Sequence, residues 1–223
     1  MASVGRTLAQ NLTAERTTEV AGGALRRVLE LAIDGIGVLP GARTAAGRHL
    51  ERVGQVEGAI DGVISQHVAL AGAQGFATNV GGMLTLPISI PTNLTGLAVL
   101  QTRMVAGVAH LRGYDLEKGQ VRTALLMCLL GADSLERAEE SIPRRPMIVA
   151  TAPVFDPRLD RKIATLVVGH LSTRVTGKQA ALMFTKRVPV LGGGVGAAVD
   201  GWETRATGLF AKQELVARRA IPS

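Results

Sequence analysis

Three aspartates have the residue type and the setting that magnesium chemistry requires. Asp34, Asp61 and Asp200 each follow an Ala-Ile or Ala-Val pair and precede a glycine, within apolar runs of helical pattern. Carboxylate oxygens are ligands that Mg²⁺ prefers, often together with substrate phosphates. If the three helices pack together, their carboxylates could share a cation. The alternative, exposed acids beside glycines at helix crossings, stays open.

A second group of polar side chains lies on a helical stripe near the middle of the chain. Gln101 falls within an apolar face, while Arg103, Gly107 and His110 follow an adjacent face at three-and-four spacing. Arg presents a planar fork that suits phosphate or carboxylate. Gln101, Arg103 and His110 are therefore candidates for binding an anion or a lipid headgroup. In the alternative, Gln101 pairs with irregular backbone and the other two lie at the surface.

A basic region covers residues 144–187. It holds nine Lys and Arg against two Asp, a net charge of +7 that equals the net charge of the whole chain. Such a region favours an anionic partner, unless it is only a solvated face. We do not expect nucleic acid, because the region has little aromatic interleaving. Its candidate headgroup contacts include Lys178, Lys186 and Arg187.

The sequence offers few other sites for chemistry. The single cysteine, Cys128, lies in an apolar run and is expected to be a small buried residue. The glycines of residues 192–196 follow no convincing strand and precede no Gly-Lys-Ser/Thr ending, so a phosphate loop is not supported. No cofactor is required by any motif, and magnesium enters only with the aspartates.

The longest unusual feature is a run of 41 residues, 62–102, without Asp, Glu, Lys or Arg. One helical membrane span needs about 20 apolar residues, but this run is broken near its middle by glycine and proline. We interpret it as two buried helices joined by an irregular apolar elbow, residues 83–91; a re-entrant insertion of the elbow stays open. Candidates for ligand or lipid contact in and beside the elbow are Asn79, Gly81, Gly82, Pro87 and Pro91.

Apolar spacing predicts helices nearly throughout, and therefore an all-α fold with one compact multi-helix domain. We expect a flexible tail at residues 1–16 and a helical domain at 17–219. The tail lacks the apolar segment of a secretory signal, so a cytoplasmic location is expected. The predicted helices cover about residues 18–36, 43–53, 56–75, 93–112, 116–130, 133–141, 156–174, 178–186 and 192–219.

Several strings within residues 59–211 resemble the bacterial EcsC family. They are residues 75–87, 90–93, 101–103 and 109–115, followed downstream by 186–193. The resemblance implies a helical protein that is often genetically linked to an ABC-type exporter and works near the cytoplasmic membrane. It implies no established reaction.

We therefore expect a helical protein that associates peripherally with the inner face of the cell membrane or binds an amphiphilic, lipid-like ligand. One alternative is a magnesium-dependent enzyme acting on an isoprenoid or other lipid (di)phosphate, with Arg103 and the basic region on the phosphate and the three aspartates on the metal. A further alternative is an interaction module for an ABC-type transporter.

Overall fold

The computed structural model of the protein describes residues 22–36, 39–80, 92–185 and 189–217. Nine helices lie in these ranges, together with one two-residue antiparallel strand pair, β1 (Gly35–Ile36) and β2 (Leu39–Pro40). The helices are α1 (22–34), α2 (Ala42–Val53), α3 (Val56–Val80), α4 (Thr92–Leu111), α5 (Gly119–Leu130), α6 (Ala132–Glu136), α7 (Pro146–Ala150), α8 (Pro157–Thr185) and α9 (Pro189–Glu214).

The all-α prediction is confirmed, with differences at particular elements. The two helices predicted between 156 and 186 form one continuous helix, α8, because a glycine such as Gly177 weakens a helix without ending it. The helix predicted at 133–141 ends at Glu136, and the chain then turns toward Pro143, which disfavours helix in the residue before it.

Two further corrections concern short elements. The first helix was predicted to reach Ile36 but ends at residue 34, where Gly35 takes a positive φ of 98° and starts the strand pair. Residues 147–149, considered as a strand, belong to α7, which begins with proline at its first position.

Helices α3 and α9 pack against each other in antiparallel orientation through glycines. A methyl group added at Gly75 would lie 2.7 Å from the Gly196 carbonyl oxygen and 2.5 Å from the Asp200 Oδ2. Further along the same pair, Gly201 lies beside Val68, and Gly208 lies against Ile64. The missing side chains allow the two backbones to approach closely.

Charged side chains tie one end of this pair together. Lys212 of α9 pairs with Asp61 at 2.5 Å and with Glu57 at 3.7 Å, both on α3. Arg112, just after α4, pairs with the same Glu57 carboxylate. The three elements are thereby joined at the end where α3 begins.

The core is made mainly of aliphatic side chains. Helix α5 is buried over nearly its whole length, and its Cys128 is fully buried, as expected for a small apolar residue. Burial raises the pKa of the Cys128 thiol above its ordinary value, which keeps it protonated. Among the described residues, no helix has both the length and the apolar character needed to cross a bilayer.

The glycine contact generates a stability prediction. Gly75→Ala should lower the free energy of unfolding by about 1–3 kcal/mol, because the new methyl group must displace the Gly196 backbone or the Asp200 carboxylate. Denaturant unfolding followed by circular dichroism measures this change.

Gly169→Ala is the matched control. Gly169 lies inside α8 with no atom within 4 Å of an added methyl group, so its replacement should stabilise the helix by about 0.5–1 kcal/mol. Equal effects of the two substitutions would contradict a tight α3–α9 contact.

Candidate functional site

Helix α4 carries the predicted polar stripe through the interior of the protein. Residues 101–109 are all buried, and Gln101 is 1% exposed. Its amide donates a hydrogen bond to the Thr204 Oγ1 of α9 at 3.3 Å. Gln101 therefore joins α4 to α9 inside the core.

The stripe of Arg103, Gly107 and His110 faces α2. A methyl group at Gly107 would lie 3.6 Å from the Ala46 Cβ and 3.8 Å from the Ala42 carbonyl oxygen. Arg48 of α2 lies close enough to Arg103 to affect its pKa. The backbone of α2 therefore comes close to α4 at Gly107.

Arg103 is buried, and no acid in the described part of the chain pairs with it. It is 4% exposed, and its Nε has no hydrogen-bond partner. None of the ion pairs between described residues includes Arg103. Burial, and to a smaller extent the positive charge of Arg48, lowers the pKa of Arg103 below its ordinary value. The alternative prediction that Arg103 lies at the protein surface is therefore wrong.

His67 lies opposite Arg103 across the antiparallel α3–α4 pair. Gly107 contacts Val63, and Gly96 contacts Gln74, so this register places positions 67 and 103 at the same level. The His67 ring is 1% exposed, and its Nδ1–H donates to the Val63 carbonyl oxygen at 2.8 Å. Its other nitrogen, Nε2, has no hydrogen-bond partner.

Burial is the main reason why the pKa of the His67 imidazole is low. It lowers the pKa of His67 from 6.5 to about 4; the bond to Val63 opposes the shift, while Arg103 and then His49 add to it. The imidazole is therefore neutral at pH 7, and its Nε2 carries an unprotonated lone pair. A buried acceptor and a buried cationic donor thus lie near each other.

Helix α2 completes this group of side chains. His49 packs on α3, where a methyl group at Gly62 would lie 2.6 Å from its Nδ1. Its Nε2 lies 2.9 Å from the Gln66 Oε1. We call the four side chains contributed by α2, α3 and α4 the basic junction: Arg48, His49, His67 and Arg103.

His110 lies farther along α4, in a separate open cleft of about 500 Å³ that also includes Arg43, Tyr114 and Glu117. Glu117 pairs with Arg43 and, at 3.0 Å, with Arg122. Burial, followed by the charge of Arg43, lowers the pKa of His110. The hydrogen bond and charge of Arg43 lower the pKa of Glu117.

The three aspartates have different environments. Asp34 is exposed at the end of α1, Asp61 is paired with Lys212, and Asp200 is buried against Gly75. Among the described residues, no group of three or more His, Cys, Asp or Glu side chains comes together to hold a metal ion. The three carboxylates thus do not form one cluster, and a magnesium role stays a prediction.

The other candidates from the sequence stay predictions as well. The candidates in and beside the elbow that lie outside the described residues are Gly81, Gly82, Pro87 and Pro91. Lys186 and Arg187 of the basic region also lie outside them. The backbone of Asn79 belongs to α3 and that of Lys178 to α8.

The sequence did not indicate the role of the histidines. His49 and His67 are scattered along the chain, and only the α2–α3 hairpin brings them together. A weak signal existed for His67, which lies four residues from Val63 and from Ala71 on an apolar helical face. A histidine at such a position is placed to be buried.

The described residues therefore define an all-α protein in which two buried basic side chains, His67 and Arg103, lie beneath Arg48 and His49 and have no paired acid among the described residues. The model of the EcsC protein family matches residues 6–219, nearly the whole chain, and the chain belongs to that family. The resemblance stated from the sequence is confirmed. The curated proteins and the solved structures gave no match.

The environment of His67 predicts a pH dependence of stability. Its folded-state pKa of about 4 lies below the ordinary 6.5, so the unfolded chain binds a proton more readily than the folded chain. Neutral His67 makes its full contribution to the free energy of unfolding above pH 6.5. This contribution falls by up to about 3 kcal/mol as the pH approaches 4. Urea unfolding at several pH values measures it.

His67→Gln isolates this contribution, since the substitution removes only one titrating group. The loss of stability between pH 7 and pH 4.5 should be smaller in the variant than in the unchanged protein. The same loss in both proteins would show that His67 is protonated as easily in the folded state as in the unfolded state.

Proposed function

We propose that the protein associates peripherally with an anionic membrane surface through the region around α7 and the start of α8. The observation that carries the proposal is an exposed apolar cluster, Ile148, Val154 and Phe155, flanked by exposed arginines that form no ion pair with any described residue. We call these three apolar residues the apolar tip. The resemblance to the EcsC family supports the same location, because it implies a protein that works near the cytoplasmic membrane.

The apolar tip exposes side chains that a protein in water would normally bury. Ile148 is 54% exposed, Val154 is 75% exposed and Phe155 is 39% exposed. The three residues also line a depression of about 220 Å³. Apolar surface that is grouped in this way is typical of sites that contact a membrane or another protein.

The segment that presents the tip is held in place by several contacts. The Phe155 ring packs on Gly119, where an added methyl group would lie 2.8 Å from its Cδ2. Gln120 donates to the Ala152 carbonyl oxygen at 3.1 Å. Asp156 accepts hydrogen bonds from the backbone of Arg158 and Leu159, at 2.8 and 3.2 Å, and so caps α8. The tip is therefore presented by an anchored segment.

The charges beside the tip suit anionic headgroups. Arg144, Arg158 and Arg161 are exposed, and among the described residues Arg158 and Arg161 take part in no ion pair. In contrast, Arg145 pairs with Glu214, and Lys162 pairs with Glu139. Each basic residue near an anionic surface contributes about 1 kcal/mol, and each buried apolar methylene adds about 0.8 kcal/mol.

This proposal changes the part of the chain that supplies the apolar contact. The sequence led us to expect that contact from the elbow, residues 83–91, which lies outside the described residues. The apolar tip lies inside the basic region of residues 144–187, so apolar and charged contacts come from one surface. No specific observation favours the magnesium-dependent enzyme or the transporter module.

Co-sedimentation with vesicles tests the proposed surface. The protein should bind vesicles of phosphatidylcholine and phosphatidylglycerol at low salt, and not vesicles of phosphatidylcholine alone. Arg158→Glu with Arg161→Glu should weaken binding by at least about 30-fold, since two contributions of about 1 kcal/mol are lost and repulsion is added. Ile148→Ser with Val154→Ser should weaken vesicle binding at every salt concentration, because the lost contact is apolar.

Arg52→Glu with Arg205→Glu is the matched control. Both arginines are exposed and lie on α2 and α9, and the double substitution changes the net charge by the same amount. This variant should keep most of the binding. An equal loss in both charge-reversal variants would mean that binding depends on total charge and not on the α7–α8 surface.

A further inference from the structure

We propose that the basic junction is a binding site for a small oxyanion of the phosphate class. Arg103 and Arg48 would supply positive charge, and the His67 Nε2 would accept a hydrogen bond from a protonated phosphate oxygen. The site involves α2, α3 and α4, and none of its residues belongs to the proposed membrane surface.

The buried charge of Arg103 is the first argument for an anion. Removing a charged group from water costs several kcal/mol unless a counter-charge and hydrogen bonds replace the lost solvation. Among the described residues no carboxylate pairs with Arg103, and its Nε–H has no acceptor. The neighbouring charge that lowers the pKa of Arg103 is that of Arg48, which has the same sign. An anion between the two arginines would supply both the missing acceptor and the missing charge.

The neutral form of His67 indicates which anions could bind, because its Nε2 can only accept a hydrogen bond. Its Nδ1 proton is used by the Val63 carbonyl oxygen, and its buried Nε2 offers only a lone pair. A fully deprotonated oxyanion would repel that lone pair. Near neutral pH a large fraction of inorganic phosphate and a smaller fraction of a phosphomonoester retain a P–OH group, whereas sulfate has none. A ligand that accepts from Arg103 and donates to His67 satisfies both unpartnered atoms.

Arg48 lies on the solvent-facing side of the junction, on α2. Arg48 is exposed, while Arg103 and His67 are buried beneath it. His49, held by Gln66 at 2.9 Å, lies next to Arg48 in the sequence and contributes a further ring to the same place. A phosphate could therefore meet Arg48 first and then Arg103.

Isothermal titration calorimetry with inorganic phosphate tests the proposal, with sulfate at equal ionic strength as the comparison anion. Phosphate should bind to the unchanged protein and raise its melting temperature, while sulfate should bind at least about tenfold more weakly because it lacks the donor for His67. A short-chain, soluble phosphatidate distinguishes the source of the phosphate group. If the phosphatidate binds more tightly than inorganic phosphate, the natural ligand is a lipid headgroup. If it binds more weakly, the natural ligand is the free phosphate ion.

Arg48→Gln is the principal variant, because an exposed residue can be changed without disturbing the core, and Arg103→Gln is the second. Each should weaken phosphate binding at least about tenfold, whereas the control Arg52→Gln on the same helix should leave it unchanged. Absence of phosphate binding, equal binding of sulfate, or phosphate binding that survives both Arg48→Gln and Arg103→Gln would each overturn the proposal.

Discussion

The close contact between α3 and α9 is the constraint on which the rest of the structure depends. Side chains of ordinary size at Gly75 and Gly208 would separate the two helices, because their Cβ atoms would overlap the Gly196 backbone and the Ile64 side chain. Helix α4 packs on both helices, and Gln101 reaches Thr204 only at this spacing. Close contacts at Gly96 and Gly107 of α4 then set the register that places His67 opposite Arg103, and these glycines carry no chemistry themselves.

The sequence predicts the helical class well because apolar spacing and proline position act locally. The bounds of α2, and the positive φ of 81° at Gly113 after α4, follow directly from such local signals. The errors come where local signals compete. Gly177 resembled a boundary between two helices, and the apolar residues 147–149 were short enough for either a strand or one helical turn. Tertiary packing decides such cases, and a single sequence does not show it.

The polar residues of the core were harder to predict than the helices. The stripe containing Arg103 and His110 was recognised, but spacing alone did not show that it faces α2 and not water. The three similar aspartate strings show the same limit, since Asp61 pairs with Lys212 while Asp200 is enclosed beside Gly75. Similar local sequences thus have different environments, because burial depends on which face of each helix packs inward.

Arg103 connects the charge-free run with the candidate site. In the sequence it marks the point where charge returns, which suggested a return toward solvent. In the structure the same residue is 4% exposed, so the burial of the preceding residues continues past it. A helix that excludes every other charge from its buried length would be more stable with an apolar residue at this position. Its position beside a neutral histidine lone pair is the arrangement that the proposed oxyanion would use, because such a ligand would pair with both groups.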